Sequence, residues 1–209
     1  MSEIGPGNIF VISAPSGSGK TSLANRLIAE IPNLCFSVSY TTRSSRGHEK
    51  PGRDYHFVDR DKFRQMIENN EFLEWANVYG NYYGTAEAPL IEALARNQDV
   101  LLDIDVKGAR KVKARRRDAI LIFVMPPSFQ ELEKRLRGRG VDGEEAILNR
   151  LKIAREEIKD YKMYDYLIVN REIEDSVSRL KAIVTTARCG IARMEKVGKE
   201  ILKTFGDQG

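Results

Sequence analysis

The residues with the clearest chemical purpose run from Phe10 to Leu23, in the order Phe-Val-Ile-Ser-Ala-Pro-Ser-Gly-Ser-Gly-Lys-Thr-Ser-Leu. Ile9 to Ile12 is a short apolar run that reads as a buried strand. Pro15 breaks it, Gly17 and Gly19 make a loop, and Leu23, Leu27, Ile28 and Ile31 then recur at helical spacing. Strand, glycine-rich loop, Lys-Thr and helix are the parts of a phosphate-binding P-loop. Backbone N–H groups from Ala14, Ser16, Gly17, Ser18 and Gly19, beyond Pro15, converge there. The helix N-terminus, with Lys20, Thr21 and Ser22, adds its partial positive charge. Lys20 reaches the outer phosphates of a nucleotide, and the Thr21 hydroxyl is placed to ligate Mg²⁺. The strict pattern opens with Gly where this chain has Ala14. An ordinary strand-to-helix turn with a solvent-facing lysine is the plainer alternative, and Gly19-Lys20-Thr21 between that strand and that helix weighs against it.

Four other sets of polar residues stand out. Ser39, Arg43, Arg46 and Tyr55 lie in a polar stretch, and two planar guanidinium groups with a phenol suit a second phosphate. Glu74-Trp75 and Tyr82-Tyr83-Gly84-Thr85 flank Gly80-Asn81, a hairpin signal. Asp103 and Asp105 interrupt an apolar run, and alternation along a strand puts both on one face. Arg135, Arg139 and Arg150 surround a loop with Gly138, Gly140 and Gly143. Each has a plain counterpart: solvated arginines, packing tyrosines, a satisfied buried carboxylate. The basic run from Arg110 to Arg117 invites a nucleic-acid reading. It lacks stacking aromatics and sits on a helix, so a solvated helix face is the expectation.

The elements that must position these groups follow from periodicity. Apolar strands at Ile9–Ile12, Val100–Asp105, Ala119–Met125 and Tyr166–Val169 alternate with helices at Glu87–Arg96, Val106–Arg117, Ser128–Arg137 and Glu144–Lys162. Helix continues from Ile173 almost to the end. That rhythm predicts an α/β, three-layer fold with a parallel sheet covered on both faces. Between them, Leu34–Ser39, Tyr55–Val58, Glu71–Tyr79 and Tyr82–Thr85 read as strands and Asp59 as the cap of a helix to Asn69, so residues 40–90 are expected to form an inserted small mixed lobe. The core would then be residues 1–39, 91–138 and 151–209, with a lid at about 139–150, all in one domain of 209 residues. A net charge of +4 decides nothing about partners. Two cysteines, Cys35 and Cys189, give neither metal spacing nor a disulfide framework, and no apolar run approaches the length of a membrane span. A cytoplasmic protein is expected, bound to neither membrane nor nucleic acid.

With these residues in order, the chain resembles the guanylate kinases, bacterial type, of the P-loop nucleoside monophosphate kinase group, which phosphorylate GMP with ATP. The resemblance runs from Ile9 to Lys181. It is carried by Ser37-Val38-Ser39-Tyr40-Thr41-Thr42-Arg43, Asn81-Tyr82-Tyr83-Gly84-Thr85, Leu102-Asp103-Ile104-Asp105 and Arg135-Leu136-Arg137-Gly138-Arg139-Gly140. Arg171 departs from it, standing where an acidic residue is more usual. The resemblance implies that Arg43, Arg46, Tyr55 and Tyr83 hold the GMP phosphate, while Ser39, Glu74, Gly84, Thr85 and Asp105 surround the guanine. It also implies that Asn170 joins the P-loop at ATP, that Asp103 orients the water shell of Mg²⁺ bound at Thr21, and that Arg135, Arg139 and Arg150 form a lid stabilising the transferred phosphoryl group. Lys20 and Arg43 belong to the same catalytic set.

A physical argument for Glu74 stands beside the resemblance. Guanine's pairing edge offers two adjacent N–H donors to one carboxylate, whereas adenine sets a lone pair against it. Such a mismatch leaves buried polar groups unpaired and discriminates by roughly 10⁴-fold. The acceptor phosphate is already ionised at neutral pH, so neither His48 nor His56 is needed as a base. Two other readings remain at this level: a guanylate-kinase-like interaction module without activity, and a P-loop kinase for another phosphorylated acceptor.

Overall fold

The computed structural model describes residues 5–47, 49–78, 80–138, 140 and 143–206. In chain order the elements are β1 (Ile9–Ser13), α1 (Lys20–Glu30), β2 (Leu34–Phe36), β3 (Tyr40–Thr41), β4 (His56–Phe57), α2 (Arg60–Glu68), β5 (Phe72–Val78) and β6 (Asn81–Ala86). There follow α3 (Glu87–Ala95), β7 (Asp99–Asp103), α4 (Val106–Arg115), β8 (Ile120–Met125), α5 (Phe129–Arg137), α6 (Glu144–Glu157), a 3₁₀ turn (Ile158–Met163), β9 (Tyr166–Val169), α7 (Ile173–Arg188) and α8 (Ile191–Thr204).

Strands β2-β7-β1-β8-β9, in that order, make a five-stranded sheet that is parallel throughout. Its strands are apolar on both sides because both faces are covered. On β1, Phe10 and Ile12 point to a core shared with Leu23 and Leu27 of α1 and with Leu180 and Val184 of α7. Ile9 and Val11 point the other way, onto Leu90 and Leu94 of α3 and Ala109 and Val112 of α4. This is the three-layer α/β arrangement expected from the alternation of strands and helices.

A second sheet, ordered β4-β3-β6-β5, holds a β5–β6 hairpin whose turn includes Gly80 at φ 81°. Phe63 and Met66 of α2 pack with Phe72 beneath it, and Phe63 stacks on both Phe72 and Tyr82. Asp59 caps α2 by accepting from the Lys62 N–H at 2.7 Å, and Ser128 caps α5 by accepting from the Glu131 N–H at 3.1 Å.

The structure redraws several expected boundaries. β2 stops at Phe36 rather than Ser39. β7 stops at Asp103, and Asp105 is the N-cap of α4, its carboxylate accepting from the Gly108 N–H at 2.7 Å. Asp103 and Asp105 therefore do not share a strand face. The helix expected over Glu144–Lys162 tightens into a 3₁₀ turn after Glu157, and the C-terminal helix divides at Cys189-Gly190 into α7 and α8.

The basic run on α4 is a largely exposed helix face, as expected, and several of its charged heads are also paired. Arg115 donates to the carbonyls of Phe72 at 2.5 Å and Leu73 at 3.0 Å and pairs with Glu87 at 2.8 Å. Lys111 donates to the Trp75 carbonyl and lies over the Trp75 ring. Arg110, Lys113 and Arg116 pair with Asp160, Asp165 and Asp118. Five of its charges are thus spent stitching α4 to β5 and to neighbouring loops.

Asp99, fully buried at the start of β7, is a second fastening point. It accepts from the N–H and side chain of Asn8 at 2.7 and 3.1 Å, from Arg188 of α7 at 2.7 Å, and from Arg193 of α8. Removing one partner of a buried pair leaves the other charges uncompensated. Asp99→Ala should lower unfolding stability by about 3 kcal/mol, read from the midpoint of urea denaturation.

Candidate active site

The P-loop leaves β1 at Ser13 and closes into α1 at Lys20. Two glycines in it have positive φ, Gly17 at 97° and Gly19 at 88°, where a side chain is strained. Each is also crowded. A Cβ on Gly17 would stand 2.9 Å from Leu136 of α5, and one on Gly19 would stand 2.5 Å from the Asn170 amide nitrogen. Ala14 is buried and accommodated, so the missing first glycine costs the loop nothing visible. Pro15 accepts from the Ser18 N–H at 3.1 Å, which closes the turn. The buried Ser18 hydroxyl has no partner among the described residues, and Ser22 is exposed on α1, so both serve the loop through their backbone.

Asn170 stands against the P-loop. Its buried amide donates to the Ser18 carbonyl at 2.8 Å and accepts from the Ser176 hydroxyl at 3.0 Å. The side chain thereby ties the loop to α7. Arg135 is held beside it, donating to the Asn170 carbonyl at 3.1 Å and pairing with Glu131 at 2.9 Å. Arg150 of α6 reaches the Ser16 hydroxyl at 3.4 Å. Two of the three expected arginines therefore stand at the P-loop. Arg139 lies outside the described residues, as does His48.

Lys20 extends from the first turn of α1 to the end of the neighbouring strand. It forms an ion pair with Asp103 and donates to the Ile104 carbonyl at 3.3 Å. Thr21, next to it, exposes its side chain. Thr21 and Asp103 are hard oxygen donors on either side of Lys20. They suit Mg²⁺, which keeps much of its water and takes few protein ligands besides substrate phosphates. No group of three or more His, Cys, Asp and Glu residues forms a metal cage among the described residues.

Arg43, Tyr55 and Tyr83 come together in the second sheet. The Arg43 guanidinium lies 5.4 Å from the centre of the Tyr55 ring, and the Tyr55 and Tyr83 rings are 6.0 Å apart. Glu49 grips Arg43 with both oxygens, at 2.8 and 3.0 Å, and takes the Arg46 N–H at 2.8 Å. That pairing holds the Glu49 carboxyl at about 2. Arg46 is exposed at the mouth of this group. Burial raises the Tyr55 phenol, and both Tyr83 and the Asp103 carboxylate raise it further.

A third group is buried between the sheets. Thr85 donates to Glu74 at 2.8 Å. The other Glu74 oxygen and the Asp105 carboxylate both lie over Gly108, where a Cβ would stand 3.0 and 3.2 Å from them. Gly108 is thus the floor that lets two carboxylates meet at the N-terminus of α4. Burial lifts the Glu74 carboxyl above the ordinary range, with Asp105 adding to the shift. Gly84 has no room for a side chain, since Phe72 would stand 2.8 Å from its Cβ. Its value is to let β6 pass, and its carbonyl and N–H are in the sheet. Ser39 stands nearby on the chain entering β3, its carbonyl taken by His56 at 2.9 Å.

The chain therefore carries one glycine-rich P-loop, one cationic and phenolic group in the second sheet, and one pair of carboxylates, buried Glu74 and half-buried Asp105, over Gly108. Residues 7–187 match the guanylate kinase family model. The chain belongs to the guanylate kinase family. The guanylate kinase of Carboxydothermus hydrogenoformans is 50% identical over 182 residues, covering 87% of this chain and 89% of the relative. That of Myxococcus xanthus is 47% identical over 191 residues, 91% of each chain. The crystal structure of guanylate kinase from Anaplasma phagocytophilum superposes with a TM-score of 0.76 at 38% identity, covering 91% of both chains. Among the described residues of this guanylate kinase family member, no helix is long and apolar enough to cross a membrane.

Reading the guanylate kinase sequence by motif passes over Gly108, Glu49 and Glu157. The first would need the knowledge that α4 starts beneath Glu74. Glu157, at the end of α6, is half-buried facing Asp105, Lys20 and Lys107, and burial foremost, then Asp105, raises its carboxyl to about 7. A folded-state value above the unfolded one stabilises at low pH and is lost as pH rises through it. Glu157→Gln should accordingly match wild type in thermal melts near about pH 4 and gain on it progressively up to about pH 8.

Proposed function

We propose that the reaction of the guanylate kinase family, transfer of the γ-phosphoryl group of ATP to GMP giving ADP and GDP, takes place between the P-loop and the Arg43–Tyr55–Tyr83 group. The observation that carries this reading is the buried Glu74–Thr85–Asp105 constellation. It supplies two adjacent acceptor oxygens where a guanine edge supplies two adjacent donors. GMP enters with its phosphate on Arg43, Arg46, Tyr55 and Tyr83 and its base against Glu74, with Ser39, Thr85 and Asp105 around it.

ATP places its phosphates on the N–H groups from Ala14 to Ser22. Lys20 trades its pairing with Asp103 for the outer phosphates, which leaves the Asp103 carboxylate uncommitted. Thr21 and Asp103 would hold Mg²⁺, which neutralises charge on the donor phosphates. Arg135 and Arg150, already beside the loop, neutralise the phosphoryl group in flight, and Arg139 is assigned the same task. The acceptor oxygen attacks in line and the β–γ bridging oxygen leaves on ADP. No proton needs removal, so catalysis is positioning and electrostatics. Residues 40–90 serve as the GMP lobe and residues 139–150 as the lid of one domain. With its internally paired α4 charges and free Cys35 and Cys189, the protein works on small nucleotides in the cytoplasm, without nucleic acid.

Glu74 binds guanine only as the carboxylate, so its raised pKa should make KM for GMP climb on acidification sooner than an ordinary Glu would. Glu74→Gln turns a donor toward guanine and removes a buried charge. In a coupled ADP-release assay, wild type should turn over GMP but not AMP, CMP or UMP. The variant should lose roughly 10⁴-fold in kcat/KM for GMP while melting at a higher temperature. Equal turnover of several nucleotides by wild type would overturn the guanine assignment and leave the kinase.

A further inference from the structure

We infer that Glu49 is a positioning residue for phosphate recognition, holding Arg43 so that one chosen edge of its guanidinium is turned to the acceptor phosphate. The inference rests on the proposed seat of the GMP phosphate at Arg43, Arg46, Tyr55 and Tyr83. A guanidinium carries five N–H donors in one plane, and their directions are fixed. Nη1 and Nη2 of Arg43 each donate to one oxygen of Glu49, at 3.0 and 2.8 Å, which fills the end of the fork. The second Nη1–H donates to the Ser44 carbonyl at 2.7 Å, which fills the edge beside Cδ. The rings of Tyr55 and Phe57 lie against the group, their centres 5.4 and 5.9 Å from Cζ. What remains is the edge made by Nε–H and the second Nη2–H. No carboxylate or carbonyl of the described residues takes that edge, and its two parallel donors match two oxygens of a phosphate.

Glu49 is itself held by the turn it belongs to. Its N–H donates to the Arg46 carbonyl at 2.7 Å, and its carboxylate accepts the Arg46 N–H at 2.8 Å. The Ser45 hydroxyl donates to its carbonyl at 3.2 Å. Arg43 is tied at the other end, its N–H donating at 3.1 Å to the hydroxyl of buried Thr41, which donates in turn to the Tyr82 carbonyl at 3.0 Å. The arginine is thus fixed by its backbone to the second sheet and by its head to Glu49. Only 13% of the Glu49 side chain is exposed, although residues 44–47 before it are all exposed. On charge alone, a carboxylate beside two phosphate-binding arginines opposes an incoming anion. The plainer alternative is that Glu49 occupies the phosphate's place and must leave. Leaving would break three hydrogen bonds, one of them to its own turn, while a donor edge already stands ready without that movement.

The two accounts predict opposite signs. The test is calorimetric affinity for GMP and for guanosine, measured on the full chain. It compares wild type, Glu49→Ala, Glu49→Gln, Arg43→Ala and the Arg43→Ala/Glu49→Ala pair. Glu49→Ala should weaken GMP roughly 30-fold, the scale on which a supporting partner matters to the group it orients. Glu49→Gln should lose less, because one acceptor oxygen stays. Neither should move guanosine, which has no phosphate. In the Arg43→Ala background, loss of Glu49 should cost GMP almost nothing, since the residue acts through that arginine. GMP binding equal to or tighter than wild type in Glu49→Ala, beside weakened binding in Arg43→Ala, would overturn the inference and leave the phosphate seat. A guanosine affinity that falls as far as that of GMP would overturn it too, by making Glu49 a residue of the fold alone. Unchanged GMP affinity in Arg43→Ala would instead overturn the phosphate seat itself.

Discussion

The carboxamide of Asn170 holds the P-loop in the form on which everything else depends. One end of it takes the Ser18 carbonyl and the other the Ser176 hydroxyl, so the loop is fixed to β9 and α7 from below. Gly19 must lack a side chain for that amide to approach, and Gly17 must lack one for Leu136 to close over the loop. The glycines are therefore demanded twice, by backbone angle and by the neighbours that press on them. Lys20 inherits its position from this clasp. Its reach to Asp103 and the Ile104 carbonyl spans from one strand of the sheet to the next.

The second constraint works against stability. Buried Glu74 and half-buried Asp105 bring two carboxylates together over Gly108, with the Thr85 hydroxyl on one and the Gly108 N–H on the other. Burial opposes the charge on Glu74, as its raised pKa records. Keeping two carboxylates this close with few donors between them costs folding energy, the pattern of a place kept for binding rather than for stability.

Much of this was legible from residue types and spacing. Apolar runs such as Ile9–Ile12 and Val100–Leu102 declare buried parallel strands because both faces of the sheet are covered, and Gly19-Lys20-Thr21 declares the phosphate cradle. What escaped was set by contacts distant in sequence. Asp105 continues the alternation of Asp103 on paper, yet the α4 N–H groups claim it as a cap. Asn170 follows an apolar strand, and nothing local says that its partner is Ser18, 152 residues away. The Arg110–Arg117 run is as exposed as it looks, but nothing local says that Arg115 also reaches the Phe72 and Leu73 carbonyls. Glu157 carries no motif, and only the fold buries it within the electrostatic reach of Asp105 and Lys20.

The stitching of α4 to β5 also ranks the strands of the second sheet by how directly they are tied to the core. In the order β4-β3-β6-β5, the seam formed by Lys111 and Arg115 fastens one edge, and the strand that follows Arg43 and Tyr55 forms the opposite edge. Glu74 on β5 is tied to α4 directly, and Thr85 on β6 is one strand away. Arg43 and Tyr55 stand toward the far edge and hang on the sheet's own ladder. The two ends of one small sheet thus differ in what supports them, although both are drawn from the same fifty residues.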